Sequence, residues 1–196
     1  MSARLPAARR RRQLLDVALR QFAERGFHQT SMDDVAEAAG VTKPVLYQHF
    51  ASKRGLYLEL LDDVGGRMMD AIAKAVAAAD GPRQQVEAGF GAYFRFVADE
   101  ADAFRLLFGS GTRRDEEFER AVRRVEESIA EAVAVFIEAD IDAAHRRILA
   151  HGLVGLAEGT SRTWLSDGGS GRGQADLLAR RLAELAWAGL RGIRRT

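Results

Sequence analysis

The ten residues 41–50, VTKPVLYQHF, set a lysine, a proline, a tyrosine, a glutamine and a histidine among large apolar side chains. Such a mixture is too polar for a core helix and too apolar for a loop. Projected at about 100° per residue, Leu46 and Phe50 share one edge, while Pro44, Val45 and Gln48 face away from it. Tyr47 and His49 lie one on each flank. A helix seated in the major groove of a double helix needs this arrangement, because its outward ridge meets base edges and its flanks meet the two phosphate strands. Gln48 carries the donor and acceptor that complement adenine, and Val45 or Pro44 suits a thymine methyl. The Tyr47 hydroxyl and the His49 ring N–H donate to phosphate oxygens, and Lys43 adds a cation at the helix start, where anions are already favoured. Ser52, Lys53 and Arg54 open the following helix with free N–H groups and two cations, a second phosphate clamp. The competing reading is a structural hairpin in which Tyr47 packs on a neighbour and His49 is an ordinary surface histidine.

The elements around this stretch are helical. Leu14, Leu15, Ala18, Leu19 and Phe22 form one apolar stripe, stopped by Gly26. Thr30 and Ser31 offer hydroxyls to cap a short second helix that carries Asp33 and Asp34 in its first turn and ends at Gly40. Thr42 and Pro44 suit the start of the third. The second and third helices meet across so tight a turn that small residues are required, and Ala36, Ala39 and Gly40 supply them. Ser52 caps a long fourth helix with Leu56, Leu60, Leu61, Val64, Met68, Ile72 and Val76 in register, ended by Asp80-Gly81-Pro82. A fifth runs from 83 to about 100, followed by the short apolar piece AFRLLFG and a break at residues 109–112. Then come an amphipathic helix through Phe118 and Phe136, another from near 140 through 165, a glycine-rich loop, and a last helix from 174 to about 194. No alternating strand pattern occurs. The expectation is an all-α chain of about nine helices: a three-helix helix-turn-helix DNA-binding domain over 1–55, and a helical ligand-binding and dimerisation domain over 56–196.

Composition narrows the class. The chain has 196 residues, 47% hydrophobic and 29% charged, enough for a packed core. It contains no cysteine, which excludes disulfides and thiolate metal sites and fits a cytoplasmic protein. No apolar run approaches the roughly 18 residues of a membrane span, and the basic start is followed by no signal-peptide core. The net charge of +1 hides an asymmetry: residues 1–57 hold ten basic and five acidic side chains, while the remainder is net acidic. A basic module on an acidic body points to a polyanionic partner for that end. The four histidines are scattered, and no P-loop, GxSxG or HExxH occurs, so neither an enzyme nor a metal or cofactor site is expected. The alternative class is a helical adaptor without sequence-specific DNA binding.

The run TSMDDVAEAAGVTKPVLYQHFASKRGLYLEL, residues 30–60, with LLDVALRQFAERGF before it, resembles the DNA-binding domain of the TetR (tetracycline-repressor) family of bacterial transcription regulators. The resemblance implies a homodimer that binds a palindromic operator in double-stranded DNA and represses until a small, largely apolar effector enters the C-terminal domain. It implies phosphate contacts by Thr42, Tyr47, His49 and Lys53, and groove contacts by Lys43, Pro44, Val45 and Gln48. Some members carry a basic residue early in the second helix. Asp33 and Asp34 stand there in this chain, which puts a base contact from that helix in doubt. Arg9, Arg10, Arg11 and Arg12 are candidates for extra phosphate or minor-groove contacts.

Beyond residue 60 the sequence offers stripes rather than motifs. Gly152, Gly155 and Gly159 would let another helix approach closely, and Leu178, Leu182, Leu185 and Leu190, with Trp187 and Ile193, exceed what one partner helix needs. A four-helix dimer interface is expected from these two helices of each subunit. It would set two recognition helices about 34 Å, or a small multiple, apart. The aromatics Phe90, Tyr93, Phe94, Phe104, Phe108 and Phe118 would line a pocket with Met68, Ile72 and Trp164, or simply form core. His151, Glu158 and Arg162 are candidate anchors, unless Glu158 and Arg162 form an i, i+4 ion pair.

Overall fold

The computed structural model describes residues 6–109, 115–137 and 140–193, and among them every regular element is a helix. The order is α1 (Ala7–Gln29), α2 (Met32–Ala38), α3 (Lys43–His49), α4 (Lys53–Ala77), α5 (Pro82–Asp99), α6 (Ala101–Phe108), α7 (Glu116–Val135), α8 (Ala143–Ser166) and α9 (Arg172–Arg191). The expected break at residues 110–112, and an end of the last helix near 194, lie outside the described residues. No helix among the described residues is long and apolar enough to cross a membrane.

The chain forms two compact units, Met1–Val64 with Asp102–Ala121, and Gly65–Ala101 with Val122–Thr196. The expected boundary after residue 55 falls inside α4, which continues unbroken to Ala77. The first part of α4 buries Leu56, Leu60, Leu61 and Val64 completely, so it belongs to the first unit. Phe118 returns to that unit as well: its ring packs at 4.8 Å from Phe27 and 4.5 Å from Tyr57, and Phe22 meets Tyr57 at 5.1 Å.

Local chemistry sets the helix ends in the first unit. Gly26 breaks the regular path of α1 at φ 76°, and one more turn follows. Thr30 is buried, but its hydroxyl donates to Gly26 O at 2.9 Å, leaving Ser31 to cap α2. Ser31 Oγ accepts from Asp34 N at 3.1 Å, and Asp34 Oδ2 accepts from Ser31 N at 2.7 Å, a closed capping box. At the far end of α2, Val41 N donates to Ala36 O and Gly40 N to Glu37 O, with Gly40 at φ 64°. This is a Schellman turn, and it requires the left-handed backbone that glycine adopts freely. The expected role of Gly40 as a small contact residue is thereby corrected: a Cβ there would meet nothing within 4 Å. Ala36 and Ala39, both buried, make the close approach.

Two carboxylates of this unit titrate low. Hydrogen bonds from Ser31 hold Asp34 below 3.8, and the Arg54 guanidinium holds Asp115 below the same value. Groups with depressed native pKa contribute stability above the unfolded value, and that stability disappears as pH falls through the native one. Acid titration followed by circular dichroism should therefore show stability constant down to about pH 4 and declining below it. Asp34→Asn should weaken that decline.

Candidate functional site

α3 is a seven-residue helix held by its buried edge. Leu46 is fully buried and Phe50 nearly so, with the Arg11 guanidinium of α1 standing 4.9 Å over the Phe50 ring. Pinning that edge turns the opposite face outward. Thr42, Lys43, Pro44, Tyr47 and Gln48 are exposed, and Val45 and His49 are half-exposed. Tyr47 keeps 43% of its surface in solvent, unusual for an aromatic in so small a unit. The structural-hairpin reading, with Tyr47 packed on a neighbour, is therefore not what the chain adopts. Thr42 occupies the N-cap position, but its side chain makes no capping hydrogen bond. The hydroxyl expected to close the helix start is left exposed instead.

The cations are more committed than the sequence indicates. Lys43 Nζ sits 2.9 Å from Asp33 Oδ2, and that hydrogen bond raises its pKa. Both side chains are over half exposed, so the pair is weak and a phosphate can displace it. Lys53 Nζ donates to Phe27 O at 2.8 Å and Thr30 O at 2.9 Å, and stands 4.4 Å over the Phe27 ring. An ammonium has three N–H donors, so one remains for a phosphate. Arg54 is bidentate to Asp115, at 2.7 and 3.0 Å, and also reaches Glu117. Of the basic run before α1's apolar stripe, Arg11 pairs with Glu59 and Arg12 with Asp16 and Asp63. Apart from Arg12–Asp16 at i, i+4, no sequence signal announced these partners, because acceptors such as Phe27 O, Asp63 and Asp115 become neighbours only through the fold.

The second unit encloses a cavity of about 90 Å³ lined by α4, α5, α7, α8, α9 and the residues just after α7. Ile72, Phe90 and Tyr93 line it, among the residues expected to. Phe104, Phe108 and Phe118 fold into the first unit and do not. Met68 and Phe94 are fully buried without reaching the cavity, and His151 is exposed. Trp164 stands where α8 meets the glycine loop, its Nε1 donating to Gln174 Oε1 at 2.9 Å. Glu158 and Arg162 form the i, i+4 ion pair, so they are not anchors in this wall. Apart from Gln85, Gly89 and Phe136, the rest of the wall is aliphatic, including Val76, Val86, Ile129, Val133, Leu153, Val154 and Ala157. Helical stripes of that kind mark a packed face in sequence but do not show which packed face is hollow.

On α8, a Cβ at Gly152, Gly155 or Gly159, all exposed, would meet nothing within 4 Å, so no residue of their own chain packs close against these glycines. α9 buries its alanines, Ala175, Ala179, Ala183 and Ala186, along α5. It leaves Leu185 59% exposed and Leu177 39%, with Leu178 and Leu182 half-buried. Leu190, expected in an interface, lines the cavity instead.

A capped helix-turn-helix with a polar recognition face, joined to a helical bundle with an apolar cavity, defines a DNA-binding regulator rather than an enzyme. Residues 14–60 match the family of bacterial regulatory proteins of the tetR type, and residues 82–189 match the tetracyclin repressor-like C-terminal domain. The transcriptional activator FasR of Mycolicibacterium smegmatis is 35% identical over 166 residues, 84% of this chain and 76% of that one. A TetR-like transcriptional regulator from Rhodococcus sp. RHA1 superposes with a TM-score of 0.78 at 30% identity, covering 97% of this chain and all of that one. The FadR regulator of Bacillus subtilis, solved in complex with stearoyl-CoA, shares the fold at a TM-score of 0.78 and 17% identity, over 91% and 98% of the two chains. The chain belongs to the TetR family of transcriptional regulators.

Proposed function

We propose that this regulator acts in the cytoplasm as a homodimer, represses from a palindromic operator, and is released by a small, largely apolar effector held in the bundle cavity. The observation that carries the DNA half of this reading is the inverted exposure of α3, with Leu46 and Phe50 buried while Tyr47 and Gln48 stand in solvent. Gln48, Val45, Pro44 and Lys43 face the bases. Thr42, Tyr47, His49 and the remaining Lys53 donor face phosphates. The outer faces of α8 and α9 support the dimer, since a lone chain gains nothing by burying alanines and exposing leucines on one helix.

The effector half rests on the cavity and on α4. The helix that begins at Lys53 beside the phosphate face ends with Ile72 and Val76 in the cavity wall. An effector with different affinities for the bound and released conformers shifts their balance, and by linkage the operator shifts effector affinity equally. The stearoyl-CoA complex of the FadR neighbour supports an aliphatic effector, although that likeness extends to fold alone.

Selection of bound duplexes from a random library tests the whole reading, with a palindrome of two half-sites as the expected result. Gln48→Ala should relax preference at one position of each half-site by about 1–3 kcal/mol, leaving affinity for random duplex unchanged. Enrichment of no sequence would instead favour the adaptor class. Because FasR is named an activator, a reporter behind the selected operator should be measured with and without the protein, and repression requires lower expression in its presence.

A further inference from the structure

The cavity wall holds no lysine, arginine, histidine or carboxylate, and only Gln85 and Tyr93 in it carry side-chain polar atoms. Tyr93 is buried, yet its hydroxyl makes no hydrogen bond. Ser161, one helical turn beyond the lining residue Ala157, is fully buried beside it and is unpaired too: the two hydroxyls are close enough to interact but do not meet in hydrogen-bonding geometry. Leaving buried hydroxyls unpaired is costly, and native interiors rarely do so without a use for them.

The charge around the phenol constrains what can satisfy it. Burial pushes the Tyr93 pKa up; the neighbouring Ser161 hydroxyl draws it down, and Glu158 and Arg162, paired with each other, act in opposite directions. The phenol therefore stays protonated and acts as a donor. Among the described residues no cation lines the cavity, so nothing in its wall neutralises a ligand carboxylate. Gln85 Oε1 is also unpaired, but it only accepts, and it lies about 12 Å along α5 from Tyr93 by helical rise. It has no part in holding a carbonyl oxygen at the Tyr93 end.

We propose that the cavity takes a neutral carbonyl amphiphile, an aliphatic body bearing an ester, thioester or amide whose oxygen accepts from Tyr93 Oη, and that it rejects the corresponding free carboxylate. This rests on the cavity being the effector site. It sharpens that reading by assigning the polar end of the effector and its charge.

The test compares three probes of one chain length, methyl octanoate, octanoate and octane, by calorimetry on the full chain at about pH 8, where a carboxyl of ordinary pKa is ionised. Octanoate should bind at least about a hundred-fold more weakly than the ester, because a buried unpaired carboxylate is expensive. Tyr93→Phe should weaken methyl octanoate about ten-fold and leave octane unchanged. The same variant should keep or raise the thermal midpoint of the free protein, since it deletes an unpaired buried hydroxyl. Octanoate binding as tightly as the ester overturns the proposal whether or not the variant folds. So does an ester affinity that Tyr93→Phe leaves unchanged. If octane and the ester both fail to bind wild-type protein that still binds its operator, the cavity is not the effector site, and the reading beneath the proposal falls with it.

Discussion

Gly155→Trp should sediment as a monomer at micromolar concentration and lose about a hundred-fold or more in operator affinity. Gly155 is exposed and a Cβ there would meet nothing within 4 Å in the chain itself, so helix content and thermal midpoint should stay close to wild type. The effect would arise wholly between subunits. In the proposed interface an indole projecting from α8 would prevent close approach of a partner helix, and with it burial of the exposed Leu177 and Leu185. Two linked recognition helices bind one operator with an effective concentration that separate monomers lack, and losing that link costs on the order of 10²–10⁴ in affinity with no contact to DNA altered. Binding to a single half-site should be nearly unchanged, which separates the dimer effect from damage to α3. A variant that remains dimeric, with wild-type operator affinity, would place the interface elsewhere.

Lys53→Ala should show its main effect in stability. Its ammonium satisfies Phe27 O and Thr30 O, at the junction where α1 ends and α2 begins, and covers the Phe27 ring. Removing it strips two carbonyls of a charged donor, worth about 1–3 kcal/mol, and removes a cation–π contact worth about 0.5–1 kcal/mol. In a domain of this size that lowers the thermal midpoint by several degrees. Operator affinity should fall as well, but the slope of log K against log salt should change by no more than about one phosphate contact, because one N–H at most is left for DNA. A residue acting as a phosphate clamp alone would give the opposite pattern, an unchanged midpoint with a flattened salt slope. Differential scanning calorimetry and a salt titration of operator binding separate the two.

These variants also mark how far the sequence could be read. α3 was legible because its signal is local: a short segment with Leu46 and Phe50 on one edge and Pro44 in its first turn. The first-unit stripe from Leu14 to Phe22 was legible for the same reason, since a 3.6-residue period needs no knowledge of the partner. The second unit was less so. Phe104, Phe108 and Phe118 carry the same aromatic chemistry as Phe90 and Tyr93, and nothing local indicates that residues 102–121 return to the first unit.

What the chain determined by itself is therefore everything that depends on neighbours within about a turn: the all-helical class, the capping box at Ser31, the outward ridge of α3, and the open glycine face of α8. Tertiary structure alone decided which cations pair with residues distant in sequence, which aromatic rings line the cavity, and that Tyr93 and Ser161 are left unpaired beside it. The physical reason is that periodicity specifies which side of a helix is buried, whereas ion pairs, cavities and unpaired hydroxyls depend on residues far apart in sequence, as Arg54 and Asp115 are, meeting within a few ångströms.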